Sequence, residues 1–288
     1  MRIWSIEGNH QRLDGGAMFG NAPRALWSRW LMPDDENRIE LACRALLARD
    51  IDGKTVLFET GIGAFFEPKL KSRYGVLEDR HVLLDSLAAC GVGHEDIDAV
   101  VLSHLHFDHA GGLLAAYSEG AGLKLLFPKA RFVVSRRAWD RARHPHLRDH
   151  ASFIPGLVDL LLESGRLETV EAPYTPCLGH AVRFSFSEGH TPGLMLAEIG
   201  GDGGVVFCGD LIPARPWVHL PVTMGYDRYP EQLINEKRIF LDDKIARGVA
   251  LFFTHDPGCA FAKPVRDADG RYSVAEEQQF VKDFALPS

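Results

Sequence analysis

The stretch His104-Leu105-His106-Phe107-Asp108-His109-Ala110-Gly111-Gly112 decides how the rest of this 288-residue chain is read. Four residues of metal-ligand type, His104, His106, Asp108 and His109, fall within six positions. A lone histidine is more often a core or surface residue than a ligand. Imidazole and carboxylate are nevertheless the donors that suit zinc and similar divalent ions, and four together reverse that balance. In an extended segment, alternation sets His104 and His106 on one side; a turn after Phe107 carries Asp108 and His109 round to a second position. Gly111-Gly112 then lets backbone pass close by without a Cβ clash.

Working outward, β-branched or apolar runs predict buried strands over residues 54–58, 99–103, 131–135, 204–208 and 249–253, with two more over 182–187 and 195–199. Helical spacing is found over 79–89, 135–143, 153–163, 230–247 and 274–284. Residues 39–49 hold helix-favouring Ala, Leu and Arg, but Asp50-Ile51-Asp52-Gly53 resembles a hairpin turn, so a strand pairing with 54–58 is expected there. The mixture is α/β.

Polar residues fall where these strands end. Strand 99–103 runs into His104, strand 182–187 leads to Gly189-His190, strand 204–208 ends at Gly209-Asp210, and strand 249–253 ends at Thr254-His255. Carboxyl ends of strands converge on one sheet edge, where loops vary without disturbing the core. Seven donors result: His104, His106, Asp108, His109, His190, Asp210 and His255. That is too many for one tetrahedral ion and suits two divalent ions with one carboxylate shared.

Composition narrows the classes. The chain is 46% hydrophobic and 25% charged, as ordinary soluble proteins are. A net charge of -7 offers no basic field for nucleic acid. The N-terminus has no signal-peptide pattern and no run is long enough to span a membrane, so a cytoplasmic location with no membrane partner is expected. Five cysteines without a CxxC pair suggest neither a disulfide framework nor a thiolate zinc site. With no repeat or linker, residues 1–288 are expected to form one domain.

His104-x-His106-x-Asp108-His109, followed by Gly-His190, Gly-Asp210 and a late His255, resembles the five-part signature of the metallo-β-lactamase superfamily. The resemblance implies a four-layer αββα sandwich. By position it assigns His104, His106 and His190 to a first metal, Asp108, His109 and His255 to a second, and Asp210 to both. It implies zinc, with manganese, iron or cobalt as alternatives. Glu59-Thr60-Gly61 stands where the family usually has Asp-Thr-Gly. Glu59 is therefore expected to orient ligand histidines, one methylene longer than usual.

Two divalent ions sharing a water supply a bridging hydroxide near neutral pH and polarise a carbonyl or phosphoryl oxygen, so hydrolysis is the expected reaction. Asp108 is the candidate for proton transfer. Residues 14–27 resemble the opening of a branch containing N-acyl-homoserine lactone lactonases, which are quorum-quenching enzymes, and methyl-parathion-type hydrolases, and residues 14–33 are the expected substrate-lip or dimer-contact segment. Met18, Phe19, Leu26, Trp27, Trp30 and Leu31 are expected to form an apolar substrate lip or a homodimer contact. Tyr226, downstream of Asp210, is the candidate for hydrogen bonding a lactone carbonyl. The expected function is a lactonase or esterase on a small, partly apolar substrate. Phosphotriester hydrolysis and a non-catalytic ligand-binding sensor are the alternatives.

Overall fold

A computed structural model describes residues 1–287. In chain order its strands are β1 (Arg2–Ile6), β2 (Gln11–Asp14), β3 (Arg38–Leu41), β4 (Ala45–Ile51), β5 (Lys54–Phe58), β6 (Ala99–Val101), β7 (Arg131–Ser135), β8 (Leu167–Val170), β9 (Val182–Ser187), β10 (Leu194–Ile199), β11 (Val205–Phe207), β12 (Ala250–Phe252), β13 (Phe261–Arg266), β14 (Tyr272–Gln278) and β15 (Phe284–Ala285). The helices are α1 (Gly15–Phe19), α2 (Arg24–Trp27), α3 (Pro68–Arg73), α4 (Val82–Ala89), α5 (Phe107–Ala110), α6 (Arg136–Arg143), α7 (Leu157–Glu163) and α8 (Pro230–Arg247).

The expected hairpin joins β4 to β5. Asp52 and Gly53 both take positive φ, 50° and 76°, as a two-residue type I′ turn requires. From it a seven-stranded sheet extends in the order β15-β1-β4-β5-β6-β7-β8, and a six-stranded sheet runs β14-β13-β12-β11-β10-β9. Strands β2 and β3 form a small separate ribbon.

Strand alternation sorts the apolar side chains into three seams. Val100, Phe132 and Val134 point outward onto Leu83 and Leu87 of α4, Trp139 of α6 and Leu161 of α7. Ala99, Val101 and Val133 point inward, meeting Met195, Ala197, Phe207 and Phe252 of the other sheet. Leu194, Leu196, Val206 and Leu251 cover that sheet's far face against Leu233, Phe240 and Leu241 of α8. Both faces of each sheet are thus buried, which is why the central strands read as unbroken apolar runs. Each fully buried large side chain contributes about 1.5–3 kcal/mol. The result is the four-layer αββα sandwich.

Several boundaries differ from expectation. Residues 39–49 are not one strand: they split into β3 and β4 around Ala42-Cys43-Arg44, which turns to hold the His255 loop. Helix α4 starts at Val82, whose N–H is capped by the distant Asn9 side chain at 3.1 Å. Helix α7 starts only after Gly156, at φ 85°. Residues 274–284 are not helical. Glu276-Glu277-Gln278 favour helix locally, but pairing with β13 makes them the edge strand β14, and Phe284 then pairs with Ile3 of β1. Among the described residues no helix is long and apolar enough to cross a membrane.

The expected lip over 14–33 is divided between core, cavity wall and surface. Asp14 caps α1 by accepting the Ala17 N–H at 2.7 Å. Gly20, at φ 55°, and Pro23 then fold α2 back. Phe19 stacks between Trp27 and Trp217, with ring centroids 5.3 and 4.4 Å away. Met18, Phe19 and Trp27 are buried, Leu31 packs partly buried beside them, and Leu26, Trp30 and Met32 stand exposed. Hydrophobic runs on two short helices close on each other because neither can bury its face alone.

Candidate metal centre

Each donor reaches the site from a strand end or the turn that follows it. After β6, the Leu102 N–H continues the ladder to Val133 O at 2.8 Å, and the chain enters His104. The one-turn helix α5 swings Asp108 and His109 round. Gly112 makes this possible: a Cβ there would sit 2.0 Å from Thr60 O. His190 lies between β9 and β10, Asp210 follows β11 in a 3-10 turn, and His255 follows β12. All seven sequence candidates are brought together.

They form two groups. His104, His106 and His190 converge, as do Asp108, His109 and His255. His109 Nε2 and His255 Nε2 are 3.2 Å apart, and each is 3.3 Å from Asp210 Oδ1. Asp210 Oδ2 is 3.2 Å from His190 Nε2, so one carboxylate faces both groups. A tetrahedral ion with bonds of about 2.0–2.1 Å separates its ligand atoms by roughly 3.3 Å, which is this spacing. Among the described residues His104 Nε2 and Asp210 Oδ1 are buried without a hydrogen-bond partner, and His106 turns its Nδ1 to within 3.3 Å of His190 Nε2. Leaving such atoms unmet costs about 1–3 kcal/mol each, and a divalent cation fits them.

The backs of the rings are held by acceptors. His109 Nδ1–H donates to Glu59 Oε2 at 2.7 Å. His104 Nδ1–H donates to Ser103 Oγ at 2.8 Å, and Ser103 donates in turn to Glu59 Oε1. His190 Nδ1–H donates to Asp227 Oδ1 at 2.9 Å, and His255 Nδ1–H to Ala42 O at 2.7 Å. Such bonds fix the tautomer and turn the Nε2 lone pairs inward. Glu59 is fully buried and holds φ 61°, a left-handed conformation uncommon for a non-glycine residue.

Sequence reading missed Ser103, Asp227, Gln11, Arg44 and Glu236. Gln11 Nε2 donates to Asp108 Oδ2 at 3.1 Å. Arg44 is buried, pairs with Glu7 at 2.6 Å and donates to Asp256 O at 2.9 Å, tying down the His255 loop. Glu236 on α8 accepts from Ser187 Oγ and the Glu188 and Gly189 N–H groups, at 2.5, 3.1 and 3.1 Å, just ahead of His190. Only Ser103 and Asp227 lay beside singled-out residues; the others are remote in sequence from what they hold.

Burial, reinforced by neighbouring imidazoles, pushes His104 and His106 well below the usual histidine value. Burial also opposes charge on His109, but Glu59, Asp210 and Asp108 outweigh it and hold that ring well above. His255 is raised in the same way, chiefly by Asp210, and His190 by Asp210 and Asp227. Burial works against a charged Asp210 too, yet His109, His190 and His255 keep it well below the carboxylate range.

The centre opens into a cavity of about 220 Å³ that meets His106, Asp108, His190, Asp210 and His255, with Met18 and Tyr226 on its wall. Tyr226 is 44% exposed. Burial first, then Asp108, raises its phenol above the usual tyrosine value. Tyr74, Phe107 and Ala151 are shared with a larger apolar chamber of about 610 Å³, which Phe66, Phe153 and Ile154 help line. His150 also borders that chamber, whereas His144 and His146 are exposed outside it.

Comparison with known proteins agrees with this architecture. The structure resembles a probable metal-dependent hydrolase from Staphylococcus aureus, with TM-score 0.82 and 27% identity over 95% of this chain and 96% of that one. It also resembles AidC, a dizinc quorum-quenching lactonase, with TM-score 0.74 and 21% identity over 96% and 94%. A third likeness is the hydrolase AbOPH, with TM-score 0.71 and 18% identity over 99% and 94%. The family model described as the metallo-beta-lactamase superfamily matches residues 38–255, a span that runs from β3 to the last donor. With that match, its αββα layers and its clustered histidine and carboxylate donors, this chain belongs to the metallo-beta-lactamase superfamily.

Proposed function

We propose that this protein is a dinuclear metal-dependent hydrolase of lactones or related carboxylic esters, with a small, partly apolar substrate of the N-acyl-homoserine lactone type. The observation that carries the reading is the pair of donor groups sharing Asp210 at the floor of a cavity that continues into an apolar chamber. His104, His106 and His190 would hold one ion, Asp108, His109 and His255 the other, and Asp210 both. Zinc suits this nitrogen-rich set. When bound, the ions supply Lewis acidity, polarising a carbonyl oxygen and lowering the pKa of water towards neutrality.

The chain's own residues do the rest. Asp108 borders the cavity with one oxygen held by Gln11, placing its carboxylate to accept and pass on a proton as the ring opens. Tyr226 stays protonated at neutral pH and serves as a hydrogen-bond donor to the substrate carbonyl. Tyr74 and Phe107 guide an acyl chain into the apolar chamber. The likeness to AidC supports the lactone assignment.

The test strips the protein with a chelator, restores it with Zn²⁺ or Mn²⁺, and assays acyl-homoserine lactones, aryl esters and phosphotriesters. Metal-dependent lactone hydrolysis above the other two is expected. Turnover indifferent to metal would sink the hydrolase assignment, and turnover of phosphotriesters alone would move the substrate class.

A further inference from the structure

Beside the metal centre, on the side of His106 and His190, lies a second cavity of about 230 Å³. It is confluent with the first, since His106, His190, Ser152, Tyr226 and Arg148 line both. Its distinguishing wall is cationic. Arg148 donates one Nη2 bond to Gly225 O at 2.8 Å, and Arg228 rests over the Tyr229 ring at 5.9 Å. Among the described residues neither guanidinium has a carboxylate partner. The nearest acid on the wall, Asp149, is committed to Arg141 through bonds of 2.8 and 2.6 Å.

Arg228 is also fixed relative to the metal ligands. Its N–H donates to His190 O at 3.1 Å, the following Tyr229 N–H donates to Gly189 O at 2.7 Å, and the preceding Asp227 holds His190 Nδ1. The guanidinium is thus carried by backbone that is keyed to the loop bearing His190. In a chain of net charge -7, two unpaired arginines at the reaction cavity form a local field, not a bulk effect. Planar guanidinium forks match carboxylate and phosphate oxygens.

We propose that Arg148 and Arg228 form an anion subsite, so that the substrate carries a carboxylate or phosphate group at the end opposite its apolar arm. The proposal rests on the hydrolase reading but departs from its uncharged N-acyl-homoserine lactone, pointing to an anionic lactone or ester of the same partly apolar kind. An apolar group enters past Tyr74 and Phe107, the scissile bond lies over the donor groups, and the anionic group reaches the arginine wall.

The experiment compares two aryl esters, the p-nitrophenyl monoester of glutarate and the uncharged p-nitrophenyl butyrate, on zinc-reconstituted wild type and on Arg148→Met/Arg228→Met. The ratio of kcat/KM for the anionic over the neutral ester should fall at least tenfold in the double variant, mainly through KM. Calorimetric binding of glutarate and of propyl phosphate to the same zinc-loaded proteins is measured alongside, and the tighter of the two identifies the anionic group. Affinity for both anions should also fall in the variant. An unchanged ratio with unchanged affinities overturns the subsite. Hydrolysis of neither ester counts against the hydrolase reading alone, because the anion affinities still decide the subsite.

Discussion

Glu59 Oε2 lies 2.7 Å from His109 Nδ1 with both side chains wholly removed from solvent, and the same carboxylate reaches His104 through the Ser103 hydroxyl. One acid thereby orients one histidine from each donor group. Replacing it with Gln leaves an amide that can accept from only one side. Glu59→Gln should lower metal affinity about 10–100-fold, the usual effect of losing such a partner. Zinc competition against a chelator measures this. Glu59→Asp keeps the charge but shortens the reach, and should fall between the two.

Asp210 faces both donor groups, at 3.3 Å from His109 and His255 and 3.2 Å from His190. Asp210→Ala should abolish hydrolysis and lower bound metal per chain. Metal analysis and turnover on one preparation check it; full metal with near-normal turnover would contradict the shared-ligand reading.

Asp227 and Tyr226 are adjacent in sequence but differ in task. Asp227 is buried, takes the His190 Nδ1–H and accepts the Met224 N–H at 2.6 Å, whereas Tyr226 faces the cavity. Asp227→Asn should weaken metal binding about 10–100-fold. Tyr226→Phe should keep metal and lose roughly tenfold in kcat/KM on a lactone, the worth of one hydrogen bond. An unchanged rate in Tyr226→Phe would make that tyrosine structural.

Phe19 sits between two tryptophans in the core, while Trp30 is 36% exposed. Phe19→Ala should destabilise the fold by about 3–5 kcal/mol, and Trp30→Ala by no more than about 1 kcal/mol. Denaturant unfolding separates the two. Equal small losses would return Phe19 to a substrate lip.

Lys237 is fully buried and donates to Trp217 O, Val222 O and His219 O at 2.8, 2.8 and 3.3 Å. Burial pushes its amine down to about 7, against an opposing pull from Asp227. Above that pH the unfolded chain binds more protons here than the folded one, up to the ordinary lysine value of 10.5. Stability should therefore rise with pH through this window. Lys237→Met removes that rise, so wild type should gain on the variant by more than about 1 kcal/mol between pH 7 and 9.5. A difference independent of pH would contradict it.

The sequence alone determined the donor set and the central strands. Both are written locally: His104 to His109 are contiguous, His190, Asp210 and His255 each follow an apolar run, and buried strands announce themselves as such. The Asp52-Gly53 turn was equally legible, because its φ requirement names its residues. Tertiary structure decided what depends on distant partners. Strand β14 exists because β13 offers its edge, overriding the helical leaning of Glu276-Glu277-Gln278. Phe19 and Trp27 are core because Trp217 comes to meet them. Of the residues that aim the ligands, Glu59 was legible through the family resemblance, but Gln11 towards Asp108 and Arg44 and Ala42 towards the His255 loop lie up to 213 positions away from what they hold. A hydrogen bond has no sequence signature when its two ends are joined only by the fold, so the ligands could be read from the chain and, Glu59 apart, their orientation could not.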